Sequence, residues 1–530
     1  MMRKIYFDGY LPPSKWEVRR SRLVMQSKNL RDILALNPFG ATRSPSGVFD
    51  HVKPSVLITT FTGRVAADKL PKPPFLVPAV IEALASCKDW GSLIQVVPGE
   101  ADVYCAQDVR KNGGIVLTSD SDLLIQDLGH AGRVSFFWGL VYKGPLGTRA
   151  LSAYTYSFHG INNQLGVKDV GGLPRVVFDQ IHGRITFEEA VEKAKKKSTR
   201  VLTSPDYLDF LKEYEIDTSI MDDRIALDSI SLDPRISEVV VQTLVMTDAG
   251  LVPDVETARG PEKLSIFLPV MIENRDIRSC WTTSTWIRQT AYGILQTLSS
   301  HRSKQIIEYR TLDTSSGRSG RQVDIPGPVE TLDACVELTN TLKRLQKGIP
   351  PPNNVWFALA MLKDVENSVD EDQTSLSAIL LSQANVPVAS AYVYSLDLIH
   401  YTAQVQATYY SLRLLKQILD AVLALGRNTP RPFRELHESI SSLPPIVAWP
   451  TVEDMPDILS SALSGDILSK VTDILGIPRI YLDKLTMKYT KSKQKKRKQV
   501  HDTPGRNSQG AAKRSPSINP FAILSESSQE

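Results

Sequence analysis

The period of the apolar positions changes in a regular way along the first 150 residues. Lys4-Ile-Tyr-Phe-Asp8-Gly9 is a short β-rich run that stops at an acid and a glycine, and a basic helix-like stretch starts at about Trp16. After Val77, the residues Val80, Ile81, Leu84 and Ala85 keep helical spacing. Leu93–Val97 then reads as a buried strand, Ala101–Lys111 as a helix, Gly114–Thr118 as a strand and Arg133–Phe137 as another. Strands alternating with helices predict an α/β core over residues 1–147, with a parallel sheet covered on both faces. Residues 37–75 interrupt that rhythm. They are rich in Pro, Gly, Ser and Thr and end in Pro-Lys-Pro-Pro-Phe75, which predicts a loop insert with little regular structure beyond a strand at Ser55–Thr60.

From about residue 148 helical spacing dominates. Thr186–Lys197 is the clearest helix, and Gln404–Leu425 reads as a long amphipathic one. Gln305–Tyr309 and Arg321–Ile325 flank a Ser/Gly loop, which predicts a β-hairpin near 305–325 within a mostly helical region, 148–365. Glu366–Ser375 is polar enough to be a linker, followed by a second helical region, 376–483. Trp281, Trp286 and Tyr292 sit at near-helical spacing and are expected in the core, not on a base-stacking surface. Beyond Lys484 almost nothing can be buried, so the tail 484–530 is expected to be disordered.

Charge changes the picture. The 530 residues carry a net charge of +4. Residues 484–514 hold eleven Lys or Arg against a single acid, Asp502, so the rest of the chain is net negative. Affinity of the folded body for a phosphate backbone must then come from local patches, such as Arg3, Lys4, Lys15, Arg19, Arg20, Arg22, Lys28 and Arg31. Lys193–Lys197 reads as a solvated helix end. The tail clusters at 491–498 and 513–514 suit a nuclear import signal. No run approaches the roughly 18 apolar residues of a membrane helix, and the start does not read as a signal peptide, so an intracellular protein with no membrane partner is expected. Cys87, Cys105, Cys280 and Cys335 are too scattered for a disulfide framework or a zinc site and read as reduced thiols.

The candidate chemistry lies in carboxylates at matching places. Asp8 follows the first strand, Glu100 and Asp102 follow the second, and Asp120 and Asp122 follow the third. An isolated Asp-x-Asp is usually a turn or a helix cap. In a parallel sheet, however, all three places fall at the carboxyl edge, where open α/β sheets bind ligands. Five converging acids repel one another unless cations neutralise them, and hard oxygen ligands suit Mg2+ or Mn2+. Two such ions are a standard device for hydrolysing a phosphodiester.

Val97-Pro-Gly-Glu100-Ala-Asp102, followed by a helix and Thr118-Ser-Asp120-Ser-Asp122, resembles the Glu-Ala-Glu and Asp-x-Asp signatures of the XPG and flap endonucleases. Phe7-Asp8-Gly9 with Pro12-Pro13 resembles that family's Phe-Asp-Gly-x-Pro-Pro segment. Leu268–Ile272, Ser279–Trp281 and Ile287–Tyr292 resemble the extended helical region of fungal Asteroid-type proteins. The resemblance implies a PIN-like nuclease core using two Mg2+ or Mn2+ ions. It implies that Asp8, Glu100, Asp102, Asp120 and Asp122 bind metal and that Lys15 and Arg22 face the scissile phosphate of branched or single-stranded DNA. The rival expectation is a non-catalytic nuclear binding or scaffold protein on a decayed nuclease fold. Three departures accompany the match. Family members begin with a strand and helix carrying a further Asp, so this chain is expected to lack the beginning of the domain. Asp102 stands where the typical member has Glu. The family's glycine-rich helical turn has only a faint echo, in His159–Asn163.

Overall fold

The structure is a computed structural model that describes residues 2–11, 15–37, 40–42, 72–143, 150–196, 199–212, 214, 232–249, 264–299, 302–310, 320–349, 353–371, 374–383, 393–425, 429–478 and 480–481. The expected strand at 55–60, Pro12-Pro13 and the tail from Lys484 lie outside them.

The first part alternates as its periods predict: β1 (Ile5–Asp8), α1 (Trp16–Leu36), α2 (Leu76–Ala85), β2 (Ile94–Val97), α3 (Ala101–Asn112), β3 (Gly114–Thr118) and β4 (Gly132–Phe136), then the hairpin β5 (Leu140–Lys143) and β6 (Ala150–Ala153). The parallel sheet is not one ladder. β1 pairs with β2, β3 pairs with β4, both in parallel, and among the described residues no strand ladder joins the two pairs. Helix α3 bridges them by packing on all four strands, with Val103, Ala106 and Val109 buried beneath it. An Arg3 Nη1 hydrogen bond to the Asn112 carbonyl (3.4 Å) brings the start of β1 to the start of β3.

Coverage on both faces also fails locally. Ile115 on β3 is 58% exposed. Helix α1 seats Leu23 against Phe267 and Tyr309 of the later part of the chain.

The remaining elements are α4 (Phe158–Leu165), α5 (Gly172–Gly183), α6 (Phe187–Lys195), α7 (Pro205–Lys212), α8 (Pro234–Ala249), β7 (Ser265–Phe267), α9 (Thr285–Leu295), β8 (Gln305–Tyr309), β9 (Gly320–Asp324), α10 (Pro328–Gly348), α11 (Asn353–Asp370), α12 (Leu376–Gln383), α13 (Leu396–Leu425), α14 (Arg431–Ser439), α15 (Met455–Ser464) and α16 (Ile467–Leu475). The result is a mixed α/β chain dominated by helix, with small parallel pairs. The expected hairpin forms between β8 and β9, and β7 adds to it in parallel. Thr186 and Glu189 cap α6 reciprocally.

Two expectations for the helical part are corrected. Residues 366–370 are no linker, because α11 runs through to Asp370 with Val365 and Ser368 buried; the Asp364 carboxylate then accepts hydrogen bonds from Ser375 and Ser377 and anchors the start of α12. Helix α13 does not present the polar face expected of an amphipathic helix. It is buried on nearly every side, and its polar Gln404, Ser411 and Gln417 find partners on other elements. One hydrophobic core, from Phe75 to Val471, draws on both helical stretches and includes Trp281 and Tyr292. Phe75 anchors the end of the loop insert by packing on Tyr410 and Trp449, with ring centroids 5.4 and 5.1 Å away.

Inside that core lies a closed ionic group. Arg288 Nε donates to Glu308 Oε1 (2.6 Å), Tyr292 donates to the same oxygen (2.9 Å), and Arg310 pairs with the other one. Burial alone would push the Glu308 carboxyl up, but the two guanidinium groups outweigh it and hold it down at about 2.

Candidate metal centre

Each carboxylate is placed by local chain chemistry. β1 ends at Asp8, and the next residue must be glycine: a Cβ at Gly9 would stand 2.2 Å from the Val97 carbonyl oxygen. The Gly9 amide donates to the Gly99 carbonyl (3.2 Å), which locks the end of β1 against the end of β2. Val97 is opposite Asp8 in the ladder, so Glu100, the N-cap of α3, and Asp102 in its first turn open onto the same edge. Acids in a first turn also suit the positive end of a helix. Beyond β3, Asp122 begins a short 3-10 turn anchored by the buried Leu123.

The electrostatics show that the five acids converge. Asp102 is raised to about 6 by burial and then, in order, by Asp120, Asp8, Asp122 and Glu100. Asp122 is raised by burial and by Asp120, while Lys15 opposes the shift. All five sequence-predicted ligands and Lys15 therefore share one region of space. Arg22 is exposed one to two turns further along α1, with no ion pair among the described residues.

The oxygens are partly engaged. Asp8 Oδ1 accepts from the Ala101 amide (2.7 Å), Asp120 Oδ1 accepts from the Asp122 amide (3.1 Å), and Glu100 is held by the Lys15 ammonium (2.7 Å). Accordingly, no three acidic, histidine or cysteine groups among the described residues are close enough together to grip a single ion as they stand. In donor type and accumulated charge the set still fits a hard divalent cation.

The basic patch is smaller than the sequence suggested. Arg19 is paired with Glu238 and lies over the Phe267 ring, 4.5 Å from its centroid, so it pins α1 to α8 and to β7. Lys193 is exposed, as expected of a solvated helix end, and its ammonium also reaches the buried Asp179 (3.0 Å).

A glycine-rich turn joins α4 to α5. Helix α4 ends at Gly166 (φ +68), and α5 starts through Gly171 (φ +103) and Gly172 (φ +65). Buried Asn162 ties the unit by accepting from the Leu173 amide (2.7 Å). Asp179 in α5 is closed off by Arg175 (2.6 Å) and Lys193, so it adds no carboxylate to the edge.

The stretch 72–325, just under half of the chain, matches the family model described as XPG domain containing. It holds Glu100, Asp102, Asp120 and Asp122 and starts after Asp8, Lys15 and Arg22. No curated protein and no solved structure matches the chain. Over that stretch, which includes the acids at the ends of β2 and β3, the chain is similar to proteins of an XPG-like family.

Proposed function

We propose that the chain is a metal-dependent nuclease of the XPG and flap-endonuclease type, of the Asteroid kind, with a PIN-like core acting on phosphodiesters of branched or single-stranded DNA. The observation that carries this reading is the convergence of four carboxylates around Asp102, whose carboxyl is lifted to about 6 by burial first and then by these neighbours. Such repulsion is what two Mg2+ or Mn2+ ions would relieve, and when bound they would supply an activated water and offset charge on the phosphate. Asp8, Glu100, Asp102, Asp120 and Asp122 are the residues to hold them, with Asp102 reaching less far than a Glu. Lys15 and Arg22 steady the phosphate, Lys15 by exchanging its Glu100 partner for a phosphate oxygen. The glycine turn between α4 and α5 lets backbone approach a phosphate strand closely. The basic tail serves nuclear import, so removing residues 484–530 should move a fluorescent fusion to the cytoplasm.

The test is cleavage of labelled flap and single-stranded DNA with Mg2+ or Mn2+, set against EDTA. The double substitution Asp120→Asn with Asp122→Asn should lower the rate at least 100-fold, because each ion loses a charged ligand. It should also abolish the rise in melting temperature that millimolar metal gives a protein binding it only when folded. Cleavage that persists in EDTA, or an equally active double variant, rules the reading out. DNA binding without cleavage by the unaltered protein would instead favour the non-catalytic scaffold.

A further inference from the structure

We infer that Phe137, Trp138 and Tyr154 form an aromatic platform beside the carboxylate edge, on which the bases of a single-stranded nucleic-acid segment stack. This rests on the nuclease reading for its location and adds to it the residues that take the unpaired bases. In the β3–β4 ladder Thr118 is opposite Phe136. The chain that leaves β3 therefore reaches Asp120 two residues on, while the chain that leaves β4 reaches Trp138 two residues on, from strand ends about 4.8 Å apart. Phe137, Trp138 and Tyr154 are 55%, 71% and 73% exposed.

Their exposure has a built support. The Trp138 and Phe136 rings stack in parallel, with centroids 5.0 Å apart and planes at 11°, which orders the indole while leaving most of it in water. Tyr154 is tied to the same strand end. Val134 and Tyr156 exchange two backbone hydrogen bonds of 2.8 Å, and Ser135 Oγ donates to the Tyr154 carbonyl (3.0 Å), so Tyr154 stands opposite Phe136.

Large aromatic rings held in water at one strand end suit a binding surface. Its continuity with the carboxylate edge selects the occupant: a strand whose phosphate reaches Asp120 and Asp122 presents its neighbouring bases to the adjacent strand end. Base stacking on aromatic rings contributes about 1 to 3 kcal/mol per base and tolerates any sequence, because every base has a π face.

The experiment is anisotropy of a fluorescein-labelled 20-mer oligodeoxythymidylate with the full chain in EDTA, so that binding is read without hydrolysis. Trp138→Ala and Tyr154→Ala should each weaken binding about 5- to 150-fold, whereas Trp138→Phe should stay within about 3-fold of the unaltered protein. A 20-mer with abasic sites should bind the unaltered protein as weakly as the intact oligonucleotide binds Trp138→Ala. Equal affinities for all variants, equal affinity for the abasic strand, or no binding by the unaltered protein would overturn the platform. So would a Trp138→Ala change that alters only association with protein, which would make the patch a protein interface. Base-dependent binding without cleavage leaves the platform standing and removes the catalytic reading. Cleavage with an unaltered KM in Trp138→Ala does the reverse.

Discussion

The Lys15 ammonium sits 2.7 Å from one Glu100 oxygen and 2.8 Å from the other, joining the N-cap of α1 to the N-cap of α3. The contact spans 85 residues and places a cation at an otherwise acidic edge. An ion at Glu100 and the Lys15 ammonium compete for the same oxygens, while the ammonium and a substrate phosphate attract. Lys15 thus links metal binding to phosphate binding.

Lys15→Met should leave Glu100 open to metal. A half-exposed pair of this kind contributes up to about 1 kcal/mol, so the Mg2+ concentration at the midpoint of the melting-temperature rise should fall by up to about 5-fold. DNA cleavage should fall with it. A midpoint that stays put or moves upward would show that Lys15 and metal do not share Glu100.

Asp102 sets a pH dependence of opposite sign to that of a salt-bridged acid. Its carboxyl is raised from 3.8 to about 6, so the fold prefers it protonated. The metal-free protein bears no penalty from this group below about pH 3.8. It loses stability as the pH climbs towards 6, and the full penalty applies above that. Asp102→Asn should accordingly raise the melting temperature in EDTA at pH 7.5 and change it little near pH 4. An equal gain at both values would mean that the effect is not the titration of Asp102.

Glu308 works in the other direction. Its carboxyl is held at about 2 between Arg288 and Arg310, so its contribution is complete above about pH 4.5 and is lost as the pH falls towards 2. Glu308→Gln would leave two buried guanidinium groups without their counter-charge. Urea unfolding at pH 7 should then show a loss of about 3 to 5 kcal/mol. A loss under about 1 kcal/mol would mean that the group is more hydrated than its burial indicates.

The edges of β1 and β3 that lack a ladder should be visible in hydrogen exchange. Amides of Ile5–Asp8 and Gly114–Thr118 that point away from β2 and β4 should exchange in the earliest phase, and those bonded to β2 and β4 much later. Equally early exchange of both sets would show that neither pair is held as a ladder.

Much of the first part was legible because its signals are local. A buried strand announces itself as an apolar run, and a helix by its spacing and its capping glycine, so β2, α3, β3 and β4 fall within a residue or two of where the pattern put them. The five acids were legible for the same reason, since each follows an element end. Only the tertiary structure decided how those ends meet: that Asp8 spends an oxygen on the Ala101 amide, that Glu100 is held by Lys15, and that Arg19 leaves the basic patch for Glu238, 219 residues away. The same holds for α13, whose sequence alternates enough polar residues to pass for an amphipathic helix and whose neighbours surround it. Trp138 is the converse case, an aromatic that composition would bury and that the turn after β4 leaves in water. Local propensity is written along the chain, but burial and ionic partnership belong to pairs of residues far apart in it, so they exist only once the chain has closed on itself.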